Sequence, residues 1–308
     1  MKKIVRIILL VLAGLLAAAA VLSGVRLWQA KTQVQREWLE VPMFVPELET
    51  TASLEIIPLF DLDSPDAELI GGHGVSYLIR TDQTSVLLDL GMNPDDTIAP
   101  YFLRNLGTLQ LDWFEIDAVV ISHNHPDHVG GIQPWRQNSF TLGDFRLPLS
   151  KITFFTPIPM GYPGAALVYA REPVRVGTDI VTTGSIAFQE VFPLSLLTPK
   201  NYEQALVVRV EGEGLVLITG CGHPGLEKLV ERAETLYREP VVGVVGGLHY
   251  GKATAADLQP QIDFLAARQS GLVALSPHDS MPQAIQAFAE AFPQSYQSIV
   301  IGQVVRFP

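Results

Sequence analysis

Nineteen consecutive residues without a charged side chain, Ile7 to Val25, stand near the start of this 308-residue chain. As a helix they span about 28 Å at roughly 1.5 Å per residue, close to the hydrocarbon thickness of about 30 Å. A helix apolar all round has no face to offer water, so this stretch cannot be part of a solvated surface. Lys2, Lys3 and Arg6 precede it, an asymmetry that holds the N-terminus in the cytoplasm and sends the rest across. A cleaved signal peptide would use about 7–15 apolar residues ending in small ones such as Ala18, Ala19 and Ala20. Val21 and Leu22 continue the run past those alanines, which favours a retained anchor with Trp28 at the interface. On either account the body is expected outside the cytoplasm, attached to the membrane if the segment is kept and secreted if it is cut. The chain divides into 1–28, anchor or signal; 29–52, polar and then broken by Pro42 and Pro46, a stalk; and 53–308, a folded domain.

The whole chain carries a formal charge of −11, yet its first forty residues hold six cations (Lys2, Lys3, Arg6, Arg26, Lys31, Arg36) against Glu37 and Glu40. The body is therefore more acidic than the total, and it repels phosphate backbones, which excludes nucleic acid as a general partner. A hydrophobic share of 48 % with only 17 % charged residues excludes a disordered chain. Cys221 stands alone, so there is no intrachain disulfide framework and no Cys-only zinc site.

Beyond residue 53 short apolar runs alternate with turn signals. LEIIPLF (54–60), GVSYLIR (74–80) and SVLLDLG (85–91) read as a strand meander, 97–106 as a short helix, and DAVVISH (117–123) as a buried strand. Residues 133–170, with Trp135, Phe140, Phe145, Phe154, Phe155, Tyr162 and Tyr169 among prolines and glycines, read as a loop-rich flap beside a site. The stretch 205–220 reads as a hairpin about Glu211–Gly214, and Leu226, Leu229, Val230, Ala233, Leu236 and Tyr237 recur at helical spacing. A strand at 239–247, a helix over 254–268, a strand at 272–275, a helix at 282–291 and a strand near 298–305 complete the order. Strands first and βα units later, twice over, predict two packed sheets with helices outside.

The densest chemistry lies in Ile121–Gly131, where His123, His125, Asp127 and His128 fall within six residues. Pro126 follows a buried strand there, so the stretch is a turn. In such a turn His123 and His125 can face one metal while Asp127 and His128 project to another side and take a second. Imidazole nitrogen and carboxylate oxygen suit zinc, and also iron or manganese. Packing alone rarely asks for this density of ligand-type residues.

The stretch HNHPDHVGG resembles the HxHxDH signature of the metallo-β-lactamase superfamily, and Leu87–Gly91 (LLDLG) resembles the Asp-bearing strand end that precedes it. ELIGGHGVSYLIR (68–80), TGCGHPG (219–225), GGLHY (246–250) and SPHDS (276–280) resemble, in order, the motifs of a subgroup. That subgroup is named for ribofuranosylaminobenzene 5′-phosphate synthases. All seven histidines fall within these motifs, which run from about 54 to 305. The resemblance implies an α/β fold, a four-layer αββα sandwich, here preceded by the N-terminal hydrophobic helix. It implies one or two divalent ions, zinc first. His223, in a Gly/Pro turn past a strand, is expected beside His123 and His125, with a helix-capping role as the alternative. His278 is expected with Asp127 and His128 at a second site.

Cys221 occupies the place of a metal-bridging Asp; it is read either as a ligand thiolate or as a small buried hydrophobe. His249 follows another strand and is read as touching substrate or donating a proton, or else as structural. Asp89 is expected to orient a ligand imidazole through its ring N–H, or to cap a turn. His73, before Gly74, is read as a hydrogen-bonding residue of the fold or a residue behind the ligands. Asp279 departs from the subgroup, which often has Cys there. The leading expectation is a metal-dependent hydrolase acting on a small ester, lactone or phosphoester, with Asp127 and His249 as its acid–base groups. A synthase-like transferase and an anchored metal-binding protein without turnover are the other two readings.

Overall fold

The computed structural model describes residues 2–40, 42–93, 99–144, 147–191 and 193–307. They fall into two compact units, Met1–Val41 with Ala187–Asn201, and Pro42–Ile186 with Tyr202–Pro308. In the first, helix α1 runs from Lys2 to Trp38. It continues past the apolar run through residues read as stalk, because Gln29–Trp38 contains neither Gly nor Pro and is made largely of good helix formers.

Strand formation in the larger unit follows β-branched and leucine-rich runs. Its first strands are β1 (Thr50–Thr51), β2 (Leu54–Phe60), β3 (Ser76–Thr81), β4 (Ser85–Leu88), β5 (Ala118–Val120), β6 (Thr153–Thr156), β7 (Ala166–Tyr169) and β8 (Ile180–Thr182). Then β9 (Ile186–Gln189) and β10 (Lys200–Glu203) pair as a ribbon, followed by β11 (Leu206–Val210), β12 (Gly214–Thr219), β13 (Val241–Gly246), β14 (Leu272–Leu275) and β15 (Val305–Arg306). One sheet has the order β15-β2-β3-β4-β5-β6-β7; it is antiparallel as far as β4 and parallel from β4 onward. The other has the order β1-β11-β12-β13-β14, with β12, β13 and β14 parallel and β8 sharing the outer edge of β11 with β1.

Alternation assigns each strand two faces. Ile56, Tyr77, Ile79, Val86, Leu88 and Val120 of the first sheet pack against Leu206, Val208, Val216, Ile218 and Val245 of the second. Ile57, Leu59, Leu78, Leu87 and Val119 face away, covered by Phe102 and Leu106 of helix α2 (Tyr101–Thr108), by Trp113 and by Phe140. The second sheet carries α4 (Leu226–Tyr237) on its other face, with α5 (Ala255–Ala266) and α6 (Pro282–Ala291) beside it; α3 (Ile132–Arg136) is a short turn. The expected four-layer αββα order is present.

Several expectations are corrected. The 133–170 stretch is loop-rich as expected, but it also supplies most of α3, all of β6 and all of β7, and Phe154 is fully buried with its ring stacked 4.7 Å from that of Phe140. Phe145 and the first residues of the 97–106 helix lie outside the described residues; the helix itself begins at Tyr101. The 298–305 strand shrinks to β15, since the Ile301 and Gly302 N–H groups bond Asp63 and Pro58 carbonyls in place of a ladder. The strand expected at 85–91 stops at Leu88 because Asp89 turns into the left-handed region at φ 59°.

Candidate metal centre

Every functional side chain sits just past the carboxyl end of a strand, or just before β3. Parallel strands bring their carboxyl ends to one edge, so β4, β5, β12, β13 and β14 deliver their following turns to a common crevice. Asp89 follows β4, the His123–His128 turn follows β5, Cys221 and His223 follow β12, His249 follows β13 and His278 follows β14.

In that crevice His123 Nε2 lies 3.0 Å from His125 Nδ1 and 3.2 Å from His223 Nε2. Asp127 Oδ2 lies 3.1 Å from His278 Nε2, and His128 shares this second group. Within each triad all the ligand atoms lie within 4.8 Å of one another. A tetrahedral ion with bonds of about 2.0–2.1 Å separates its ligand atoms by about 3.3 Å. The spacing and the donor types therefore fit a divalent cation in each triad. Cys221 Sγ is 3.0 Å from His128 Nε2 and groups with both His128 and His123, one member from each triad. The ring of His249, itself exposed, lies 4.5 Å from that of His223 and tilted at 46° to it, and His73 stands edge-on to His278 at 5.8 Å. The turn thus sends His123 and His125 to one group and Asp127 and His128 to the other, while the rings of His123 and His128 are only 4.0 Å apart.

Three buried carboxylates hold the ligand-bearing turns. Asp89 accepts the Ser122 N–H at 2.6 Å and the Ser122 hydroxyl, and its Oδ2 lies 2.7 Å from His128 Nδ1. Its left-handed backbone lets one carboxylate face both partners. Glu203 accepts three successive backbone N–H groups, from Cys221 at 3.1 Å, Gly222 at 2.8 Å and His223 at 2.7 Å. Asp61 accepts the Ser276 hydroxyl at 2.8 Å and the His278 N–H at 3.0 Å. Gly74 closes the arrangement: it donates to His278 Nδ1 at 2.9 Å, and at φ 105° a side chain there would collide with the Asp127 carbonyl oxygen.

The electrostatics follow from burial. Burial and then the neighbouring His128 and His125 push His123 well below its ordinary value; burial does the same to His223, with His125 and His249. Both therefore offer neutral lone pairs. Burial would lower His128 too, but Asp89 outweighs it and raises the ring to about 9. Burial tends to raise Asp127, yet His278 and His128 hold it well below the carboxylate range. Cys221 is driven well up by burial and by Asp279, Asp127, Glu203 and Asp89.

Sequence reasoning missed Glu203 and Asp61. Asp61 had a signal: Leu59-Phe60-Asp61-Leu62 repeats the pattern Leu87-Leu88-Asp89-Leu90, an acid placed straight after an apolar strand. Glu203 had none, since its partners lie eighteen to twenty residues on.

Residues 69–173 match the model of the Metallo-beta-lactamase superfamily. A 7,8-dihydropterin-6-methyl-4-(beta-D-ribofuranosyl)-aminobenzene-5'-phosphate synthase of Methanocaldococcus jannaschii is 24 % identical over 267 residues, 76 % of this chain and 90 % of its own. Among solved structures, a metal-dependent hydrolase of the beta-lactamase superfamily aligns at TM-score 0.58 and 21 % identity, over 82 % of this chain and 98 % of that one. A metallo-beta-lactamase fold protein from Bacillus subtilis aligns at TM-score 0.51 and 12 % identity, over 83 % and 99 %. With two facing sheets, a histidine-rich crevice at their strand ends and these likenesses, the chain has the metallo-β-lactamase fold, and about a third of it, residues 69–173, matches the model of that superfamily.

Proposed function

We propose that this protein is a metal-dependent hydrolase of small ester, lactone or phosphoester substrates, anchored by α1 with its larger unit outside the cytoplasm. The observation that carries the chemistry is the pair of triads, His123/His125/His223 and Asp127/His128/His278, each with its ligand atoms within 4.8 Å of one another. A divalent ion held there, zinc or else manganese or iron, would supply Lewis acidity and acidify a water to about pKa 7. The chain's own residues do the rest. Asp89 fixes the ring plane of His128, Glu203 fixes the turn that carries Cys221 and His223, and Asp61 fixes the His278 loop. Asp127 orients the attacking water. His249, at the open rim beside His223, contacts substrate or passes a proton to the leaving group. Cys221 groups with one histidine of each triad; its buried thiol would give up its proton only beside a bound cation, and otherwise it packs as a small hydrophobe.

The test is metal content of the purified full chain by elemental analysis, with chelation and add-back on an ester, lactone and phosphodiester panel. The expected result is up to two ions per chain, cut to about one by either His278→Ala or His123→Ala, which remove a ligand from different triads. Cobalt-loaded protein should show a near-ultraviolet sulfur-to-metal band that disappears in Cys221→Ser. Turnover that persists in metal-free protein would sink the reading.

The relative from M. jannaschii favours a second reading, a transferase joining an aromatic amine to a phosphoribosyl group. It ranks lower because such a donor is cytoplasmic, whereas Lys2, Lys3 and Arg6 ahead of the apolar run direct the larger unit out. Side-by-side assays of hydrolysis and of ribosyl transfer separate the two. Stoichiometric metal with neither activity would favour the anchored metal-binding protein.

A further inference from the structure

Ala187–Asn201 forms one compact unit with α1 and has no part in the histidine cluster. It is tied to the helix at two levels: Gln189 Nε2 donates to the Leu27 carbonyl at 3.4 Å, and Lys200 pairs with Glu37. At roughly 1.5 Å per residue these ties lie about 3 and 18 Å beyond Val25, where the apolar run ends. The headgroup layer adds about 5–8 Å to each side of the hydrocarbon. The Gln189 end of the segment therefore meets the helix within the headgroup layer, the level at which Trp28 is 67 % exposed, while the Lys200 end meets it above that layer.

Between the ties the chain reads Val-Phe-Pro-Leu-Ser-Leu-Leu-Thr-Pro over 191–199, with no charged side chain. The nearest acid, Glu190, is buried and accepts from Asn201 Nδ2 at 3.0 Å, so no exposed carboxylate borders the stretch on that side. A single 3₁₀ turn, Leu194–Leu196, shapes it, closed by the Leu197 and Thr198 N–H groups on the Leu194 carbonyl. Its polarity is inverted for a water-facing loop: Ser195 is buried, while Val191, Leu196 and Leu197 are 54, 48 and 68 % exposed. Such an apolar, uncharged patch marks an interaction surface, and its continuity with α1 identifies lipid as the occupant.

We infer that Val191, Leu196 and Leu197 form a second membrane contact, entering the headgroup–acyl boundary of the bilayer that α1 spans. The inference rests on the anchor reading of α1. It predicts that the protein is held by two elements, one spanning and one interfacial, separated in sequence by about 150 residues.

The test uses the full chain in nanodiscs of phosphatidylcholine and phosphatidylglycerol. A bimane label is placed singly at Leu16→Cys, Leu196→Cys, Leu197→Cys and, as a water-exposed reference, Gln283→Cys; the native Cys221 is buried. Brominated lipids should quench labels at 196 and 197 about threefold or more above the reference, with a blue-shifted emission, and should quench position 16 strongly. Quenching at 16 without quenching at 196 and 197 overturns the second contact and leaves the anchor standing. No quenching at any of the three overturns both. Emission at 196 and 197 that is blue-shifted yet insensitive to brominated lipid would assign the patch to a protein partner or a second copy, and also overturns the proposal.

Discussion

Glu203 presents both carboxylate oxygens to the backbone of one turn, and a neutral amide cannot repeat this because its nitrogen is a donor. Glu203→Gln should leave the fold intact, as read by circular dichroism, while lowering metal affinity about 10–100-fold in a chelator competition. Unchanged affinity would show that the turn holds itself. Asp279 yields a pH dependence. Its carboxyl, ordinarily near 3.8, is pushed up to about 7 chiefly by burial, against the pull of His278 and of the His249 N–H at 3.0 Å. The folded state thus holds this proton more tightly than the unfolded chain. The resulting stability is complete below about pH 4 and is lost as pH rises through about 7. With chelator present, the denaturation midpoint of the wild type should fall across that window more than that of Asp279→Asn. Parallel curves would contradict the assignment.

At the scale of elements, β6 is a core strand inside a region that is otherwise largely loop. Phe154 pairs with Val119 in the parallel ladder and points into the layer beneath α2, stacked on Phe140. Phe154→Ala should therefore destabilise the domain by about 3–5 kcal/mol, measured by urea unfolding. A change under about 1 kcal/mol would show that β6 is not part of the core. Prolines and glycines on both sides hid this strand: they mark its ends, and only the neighbouring strand reveals that four residues between them, Thr153–Thr156, are paired.

Two attachments are proposed for the whole molecule, one to lipid and one to metal. If α1 is retained, the intact mass of protein recovered from membranes includes the N-terminal residues, and alkaline carbonate does not release it. Recovery of a soluble form that starts after the apolar run would identify a cleaved signal instead.

Sequence alone determined whatever depends on short-range order: the uncharged run 7–25, the turn forced by Pro126 between clustered ligands, the period of α4 and the apolar strands 54–60 and 272–275. Along with its family resemblance it also supplied every histidine of the cluster. Tertiary structure decided which residues stand behind them. A buried carboxylate is satisfied by whichever backbone N–H groups the sheets bring opposite it, so the roles of Asp61 and Glu203 exist only once β2, β10, β12 and β14 are in place. The same dependence applies to Cys221: local sequence gives it a strand end, but only the packing of one sheet on the other sets its sulfur between His123 and His128.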